Sequence, residues 1–256
     1  MSHAHDLADQ SGKVILPHFR KVLAVDDKSA GASFDPVTKA DRAAERVISR
    51  SIKKRFPEHG IVGEEFGIDL PHARFRWVID PIDGTRSFIT GAPMWGTLIG
   101  LLEANSPILG LVDHPFTAER CWSGQDAAYA RGPSGRARRI ATRACTRIED
   151  AFVMTTSPDL FEAGIETEKF LRVKARARMT RFGGDCYAYF LLASGLIDLI
   201  MEAGLKTYDV VALIPVIERA GGRITTWDGR PATDGGRIIA AGDPVLHERV
   251  LKLINR

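Results

Sequence analysis

Only three cysteines, Cys121, Cys145 and Cys186, occur in 256 residues, and no two of them form a C-x-x-C pair. Neither a disulfide framework nor a structural zinc site is expected, and reduced thiols in a cytoplasmic setting fit best. No stretch approaches the roughly 18 consecutive apolar residues of a membrane span, and the first 21 residues lack the apolar core of a secretion signal. No internal repeat or low-complexity segment is present, which excludes solenoid architectures. A marked charge of either sign is missing too: 35 basic against 32 acidic residues leave a net +3. Basic residues do gather between Arg131 and Arg147 and between Lys169 and Arg181. We read these as solvated faces that help attract an anionic substrate, not as a nucleic-acid surface. His3, His5 and His18 are expected to be incidental residues of a frayed terminus.

What is present is the composition of an ordinary globular chain, 45% hydrophobic and 26% charged, long enough for one large core or two modest ones. Apolar residues at helical spacing predict a helix within 5–23 and a second over 38–56, the latter opened by a Thr38/Asp41 capping box and ended by Pro57. Strands are expected at 60–63, 75–80, 97–103, 108–114, 120–123 and 127–130. The segment Gly132-Pro133-Ser134-Gly135 is the candidate boundary between an N-terminal α+β half, 1–133, and a C-terminal α/β half, 134–256. Beyond it, strands at 151–155, 197–202, 223–226 and 237–240 alternate with helices at 158–171, 185–194, 208–220 and 244–254. Such an order implies layered sheets and helices.

The chemistry concentrates in Ile61-Val62-Gly63-Glu64-Glu65 and Trp77-Val78-Ile79-Asp80-Pro81-Ile82-Asp83-Gly84-Thr85. An apolar strand delivers Asp80 to its C-terminal end, and Pro81 is expected to stop ladder pairing there. Asp83 returns three residues later, so two carboxylates and the Ile82 carbonyl can converge. Donors that are all oxygen favour a hard cation such as Mg²⁺ over zinc. The Gly84 and Thr85 amides at a helix start suit a phosphate. Turn chemistry alone can account for D-x-x-D-G, but Glu64 and Glu65 after another apolar run add weight to a metal site. Glu64 is the ligand candidate, with Glu65 solvated or supporting.

These segments resemble the inositol monophosphatase superfamily along nearly the whole chain. Asp35-Pro36-Val37-Thr38-Lys39-Ala40-Asp41 is similar to its D-x-V-T-x-x-D segment, Gly63-Glu64-Glu65 to G-E-E, and 77–85 to W-x-x-D-P-x-D-G-T. Late in the chain, Tyr208-Asp209-Val210-Val211-Ala212 resembles W-D-x-x-A, with Tyr208 where the family has Trp, followed by Ala220-Gly221-Gly222. The resemblance implies a layered αβαβα fold and a phosphomonoesterase acting on a small phosphate monoester, with two or three Mg²⁺ ions per site. Glu64, Asp80, the Ile82 carbonyl, Asp83 and Asp209 would hold them. Thr85, paired with Asp41 and aided by Glu64, would orient and deprotonate the attacking water. Neither a nucleic-acid nor a membrane partner is implied, and a homodimer follows by analogy.

Substrate choice turns on Arg181-Phe182-Gly183-Gly184-Asp185-Cys186-Tyr187-Ala188-Tyr189, which resembles the histidinol-phosphate phosphatase branch, as do Glu202-Ala203-Gly204-Leu205-Lys206 and 86–91. Ala92 departs from that branch, where Arg is often found. Carboxylates at Asp185 and Glu202 suit the ammonium and imidazole of L-histidinol phosphate, whereas an inositol phosphate offers only neutral hydroxyls. Asp185 could instead cap a helix, and Glu202 could be a solvent-facing strand end. Arg181 is a weaker candidate contact. The alternatives are an inositol-1-phosphatase, another sugar-alcohol or nucleotide phosphatase, and a catalytically silent binding protein that would have lost a motif acid. None of those acids is missing. Asp209→Asn should sharply reduce Mg²⁺-dependent turnover with the circular dichroism spectrum unchanged; near-normal turnover would remove Asp209 from the site.

Overall fold

Along Trp77-Val78-Ile79-Asp80 successive side chains must point to opposite faces of a sheet. The computed structural model describes residues 1–21, 25–27 and 36–256, and in it that alternation holds. Trp77 and Ile79 join Ala4, Leu7, Ile48 and Ile52 in one buried cluster, while Val78 packs with Val211 in another. Asp80 shares the parity of Val78 and therefore belongs to the Val211 side.

The chain begins with α1 (Ser2–Ile15), followed by an antiparallel ribbon of β1 (Val25–Asp27) and β2 (Pro36–Thr38) and then α2 (Lys39–Arg55). The capping box forms as expected: Ala40 N–H donates to Thr38 Oγ1 at 3.1 Å, and Thr38 N–H donates to Asp41 Oδ2 at 2.9 Å. Next come β3 (Gly60–Gly63), β4 (Gly67–Asp69), β5 (Phe75–Asp83) and a short helix, α3 (Thr85–Thr90). They are followed by β6 (Gly96–Glu103), β7 (Ser106–His114), β8 (Glu119–Ser123), β9 (Ala128–Arg131) and β10 (Ala137–Ile140). These strands form an eight-stranded sheet ordered β10-β9-β8-β7-β6-β5-β3-β4. The remainder supplies β11 (Phe152–Thr155), α4 (Ile165–Lys174), β12 (Met179–Phe182), α5 (Asp185–Ala193) and β13 (Leu199–Leu205). The chain ends with α6 (Thr207–Val210), α7 (Leu213–Ala220), β14 (Arg223–Thr226), β15 (Gly236–Ala241) and α8 (Pro244–Ile254). Its five-stranded sheet runs β12-β11-β13-β15-β14.

Buried clusters define the layers. α1 and α2 cover one face of the large sheet through Leu7, Ala8, Ile48 and Ile52. Leu98, Val112 and Cys121 on its other face pack with Tyr189 and Leu192 of α5, Leu213 and Val216 of α7, and Ile200 and Ile238 of the small sheet. The outer face of the small sheet, with Val153 and Met201, is closed by Phe170 of α4 and Leu246 of α8. The result is the αβαβα arrangement expected. No helix among the described residues is long and apolar enough to cross a membrane.

Some sequence expectations need correction. Gly132–Gly135 is the turn of the β9–β10 hairpin, so the chain leaves the large sheet only after Ile140. The helix expected over 208–220 is two, α6 and α7, because Pro215 lacks an N–H and its ring would collide with the carbonyl four residues back, at Val211. The helix expected over 158–171 starts at Ile165, after Gly164 at φ 94°. α1 begins at Ser2, and its histidines are used: His3 meets the rings of Phe56 and Trp77 edge-on, and His5 meets Trp122.

One contact governs where Asp209 lies. Gly100 and Gly110 are cross-strand partners on β6 and β7, and the α6–α7 junction rests on them. A Cβ at Gly110 would come within 1.9 Å of the Ala212 carbonyl oxygen, and one at Gly100 within 2.7 Å of Val211 Cγ1. Only a bare backbone patch admits the junction. Gly110→Ala should therefore cost about 1–3 kcal/mol by overpacking and lower the thermal midpoint, whereas Gly132→Ala, which meets nothing within 4 Å, should leave it unchanged. Equal midpoints for the two variants would overturn this account.

Candidate active site

The end of β5 is where the large sheet stops being regular. Its pairing with β6 runs to Asp80 opposite Leu98, shifts, and resumes at Asp83 opposite Gly96. Pro81 thus interrupts the ladder without ending it, and Thr97 Oγ1–H donates to the Pro81 carbonyl at 2.8 Å. The Ile82 side chain is anchored among Ile15, Ala44, Phe88 and Trp95. With that apolar plug fixed, the kink turns Asp83 back towards Asp80. Asp209, from α6, completes the group, and carboxylate oxygens of Asp80, Asp83 and Asp209 lie within 4.8 Å of one another.

Each acid is aimed by its surroundings. Asp83 Oδ2 accepts Cys186 N–H of α5 at 2.7 Å, a bond joining the two sheet systems. Lys206 N–H donates to Asp209 Oδ2 at 2.6 Å. Asp80 is 2% exposed, and its Oδ1 has no hydrogen-bond partner among the described residues. Burial pushes the Asp80 carboxyl well above the usual carboxylate range, with the charges of Glu64, Asp83 and Asp209 adding to the effect. Burial raises Asp83 as well, helped by the charges of Asp185 and Asp209. A close set of carboxylate donors, one buried and two half-buried, fits a hard divalent cation such as Mg²⁺.

Around this centre Gly84 sits at φ 83°, a left-handed conformation that starts α3, and its carbonyl accepts the Phe88 amide at 2.9 Å. Thr85 Oγ1–H donates to the Ile82 carbonyl at 3.1 Å. Asp41, 1% exposed, instead takes Thr38 Oγ1–H at 2.6 Å, so the bond expected between Thr85 and Asp41 is not the one formed. Burial, and then the charges of Glu64 and Glu65, raise Asp41 to about 6. Glu65 is not solvated: its side chain is 2% exposed and faces Arg42 at 3.9 Å. Asp35, the first residue of its motif, lies outside the described residues.

Asp185 does not cap α5 with its side chain. It adopts φ 43°, rare for a residue with a Cβ, and its Oδ2 accepts Ser87 Oγ–H at 2.5 Å. Ser87 belongs to the 86–91 segment that resembles the same branch, but its role as partner of Asp185 follows only from the fold bringing α3 to α5. Asp185 presses on Gly84, where a Cβ would be 2.9 Å from its Cγ. Glu202 is 1% exposed, so it is no solvent-facing strand end. Its Oε1 accepts Thr156 N–H at 2.8 Å and Thr156 Oγ1–H at 3.0 Å, and Oε2 accepts Thr155 Oγ1–H at 3.3 Å. Burial lifts it to about 8 against those bonds, and the charge of Asp185 adds to the rise. Arg181 is an exposed residue on the edge strand β12, and among the described residues it makes no hydrogen bond to these acids.

Crowding sets the sign of a stability effect. A carboxyl raised above its ordinary 3.8 holds its proton longer in the folded than in the unfolded chain. Its stabilisation is present at low pH and is lost as pH rises through the folded value. Asp80→Asn removes one charge from the cluster. In metal-free buffer near neutral pH it should raise the thermal midpoint by roughly 2–6 °C, the shift expected for 1–2 kcal/mol in a chain of this size. The variant should also lose the wild-type rise in midpoint on adding Mg²⁺. A metal-free midpoint below wild type would refute the crowding.

The profile of the inositol monophosphatase family matches residues 1–256. The chain is 44% identical to the bifunctional phosphatase IMPL2, chloroplastic, of Arabidopsis thaliana, over 96% of this chain and 72% of the plant protein. It is 34% identical to the histidinol-phosphatase of Streptomyces coelicolor, over 99% of this chain and 96% of that one. Among solved structures, an inositol monophosphatase from Zymomonas mobilis aligns with a TM-score of 0.88 at 41% identity, covering 100% of this chain and 97% of the other. With the carboxylate centre in place and the match running end to end, this chain is a phosphatase and belongs to the inositol monophosphatase family.

Proposed function

We propose that the chain hydrolyses L-histidinol phosphate to L-histidinol and phosphate in a Mg²⁺-dependent reaction. The observation that carries this reading is the placement of two acids, the half-buried Asp185, whose charge acts on Asp83 and on Glu202, and the fully buried Glu202. A substrate with an ammonium and an imidazole would neutralise them, and a neutral polyol would not. Similarity to a protein named histidinol-phosphatase supports the reading.

Glu64, Asp80, Asp83, Asp209 and the Ile82 carbonyl would hold the metal. The carbonyl keeps a second lone pair beyond the one taken by Thr85. Bound there, Mg²⁺ supplies the Lewis-acid charge that a phosphoryl-transfer transition state needs. Thr85 would orient the attacking water, for which its Oγ1–H must leave the Ile82 carbonyl, and Glu64 and Asp41 would take up the proton. The Gly84 and Thr85 amides point donors at the phosphoryl oxygens, which leaves Asp185 and Glu202 to grip the cationic end. Arg181, exposed on the edge strand β12, has the weaker claim to a contact.

The 44% identity to a protein named a bifunctional phosphatase favours a second reading, in which a neutral sugar-alcohol phosphate is also accepted. Turnover of histidinol phosphate and myo-inositol 1-phosphate should be compared side by side in wild type and Asp185→Asn. Loss of a contact between charged partners should cut kcat/KM for histidinol phosphate by about 10- to 100-fold, with a much smaller change for the inositol ester. Equal losses on both would remove Asp185 from substrate recognition, and wild-type preference for the inositol ester would overturn the substrate.

A further inference from the structure

Glu45 lies four residues after Asp41, on the same face of α2. It is 1% exposed. Among the described residues its carboxylate is bound by backbone: Glu65 N–H donates to Oε2 at 2.8 Å and Phe66 N–H to Oε1 at 3.1 Å. The next backbone contact is tighter. A Cβ on Gly63 would fall 1.8 Å from Glu45 Oε1, so the glycine exists here to admit the carboxylate. Gly63, Glu65 and Phe66 surround one residue, Glu64, whose own N–H donates to the Ile79 carbonyl at 3.2 Å.

The segment so clamped is the loop of the β3–β4 hairpin, closed by Gly63 opposite Gly67. β4 is the edge strand of the large sheet, and its surroundings offer little packing: Phe66 is 52% and Ile68 62% exposed. An edge loop with few buried contacts opens readily. A buried carboxylate is a costly way to hold it, since an apolar residue on α2 would serve packing alone at lower cost. What the carboxylate adds is direction, because its two oxygens fix two successive amides and with them the exit vector of the Glu64 side chain. We propose that Glu45 is a positioning residue of the metal centre, holding the Gly63–Phe66 loop so that Glu64 reaches Asp80. The proposal rests on Glu64 being a metal ligand.

The test measures Mg²⁺ binding to metal-free protein by calorimetry, together with the metal-free thermal midpoint, for Glu45→Gln, Gly63→Ala, Glu64→Gln and Ile52→Ala. Glu45→Gln turns an N–H₂ towards one of the two amides, and Gly63→Ala displaces the carboxylate without removing it. Both should weaken Mg²⁺ binding by about 10-fold or more, as for other residues that orient metal ligands, and both should lower the metal-free midpoint, since each leaves a buried amide without its carboxylate partner. At saturating Mg²⁺, KM for the ester should stay near the wild-type value. The proposal is overturned if both variants bind Mg²⁺ like wild type while Glu64→Gln does not, or if Ile52→Ala, which lowers the midpoint through the α1–α2 packing, weakens Mg²⁺ binding as much. Unchanged Mg²⁺ affinity in Glu64→Gln would overturn it at its base, by removing Glu64 from the metal centre.

Discussion

Negative charge crowded into a buried pocket is the constraint on which the rest of this structure depends. Asp80, Asp83 and Asp209 bring oxygens within 4.8 Å of one another, with Asp80 buried and the other two half-buried. Left to themselves these groups would separate or take up protons. They stay because each is tied to a different rigid element: Asp80 and Asp83 to the kinked end of β5, Asp83 also to α5 through the Cys186 amide, and Asp209 to the Lys206 amide. Such crowding lowers stability locally and is the arrangement expected of a preassembled cation site.

The five layers supply the needed stiffness. Ile82 is anchored in apolar packing so that its neighbours on either side can point into a charged pocket. The paired glycines Gly100 and Gly110 let the α6–α7 junction lie against the sheet, which sets the depth of Asp209. On the opposite side the Glu45 carboxylate grips the hairpin loop that carries Glu64. Small residues and backbone bonds, more than side-chain pairs, determine the geometry here. Peptide groups make better rulers than flexible side chains because so few torsions can relax them.

Much of this was legible in the chain itself. Period-two alternation ending in Asp80 located the strand and its chemistry, and Thr38 with Asp41 marked the start of α2. Errors arose where a local rule met a non-local partner. Pro81 alone suggests the end of β5, yet pairing resumes at Asp83 because β5 takes up one extra residue there as a bulge. Glycine and proline at 132–135 looked like a boundary but make a hairpin turn, since their partner strand β10 is mostly exposed and charged and so reads as loop. The short edge strands β4 and β12 escaped notice because three or four residues carry too little periodicity.

By itself, then, the sequence determined the kind of chemistry, because a hard cation and a phosphoryl group demand oxygen donors and open amides that a few adjacent residues can display. It also determined the layered α/β class, through hydrophobic periodicity. Only the tertiary structure decided which residues cooperate. Ser87 meets Asp185 across 98 positions, and Cys186 meets Asp83 across 103. Glu45, silent in the sequence as one more acid on an amphipathic helix, acquires its meaning from two amides 20 and 21 residues away. Contacts of that kind follow from how sheets and helices stack, and no local pattern encodes them.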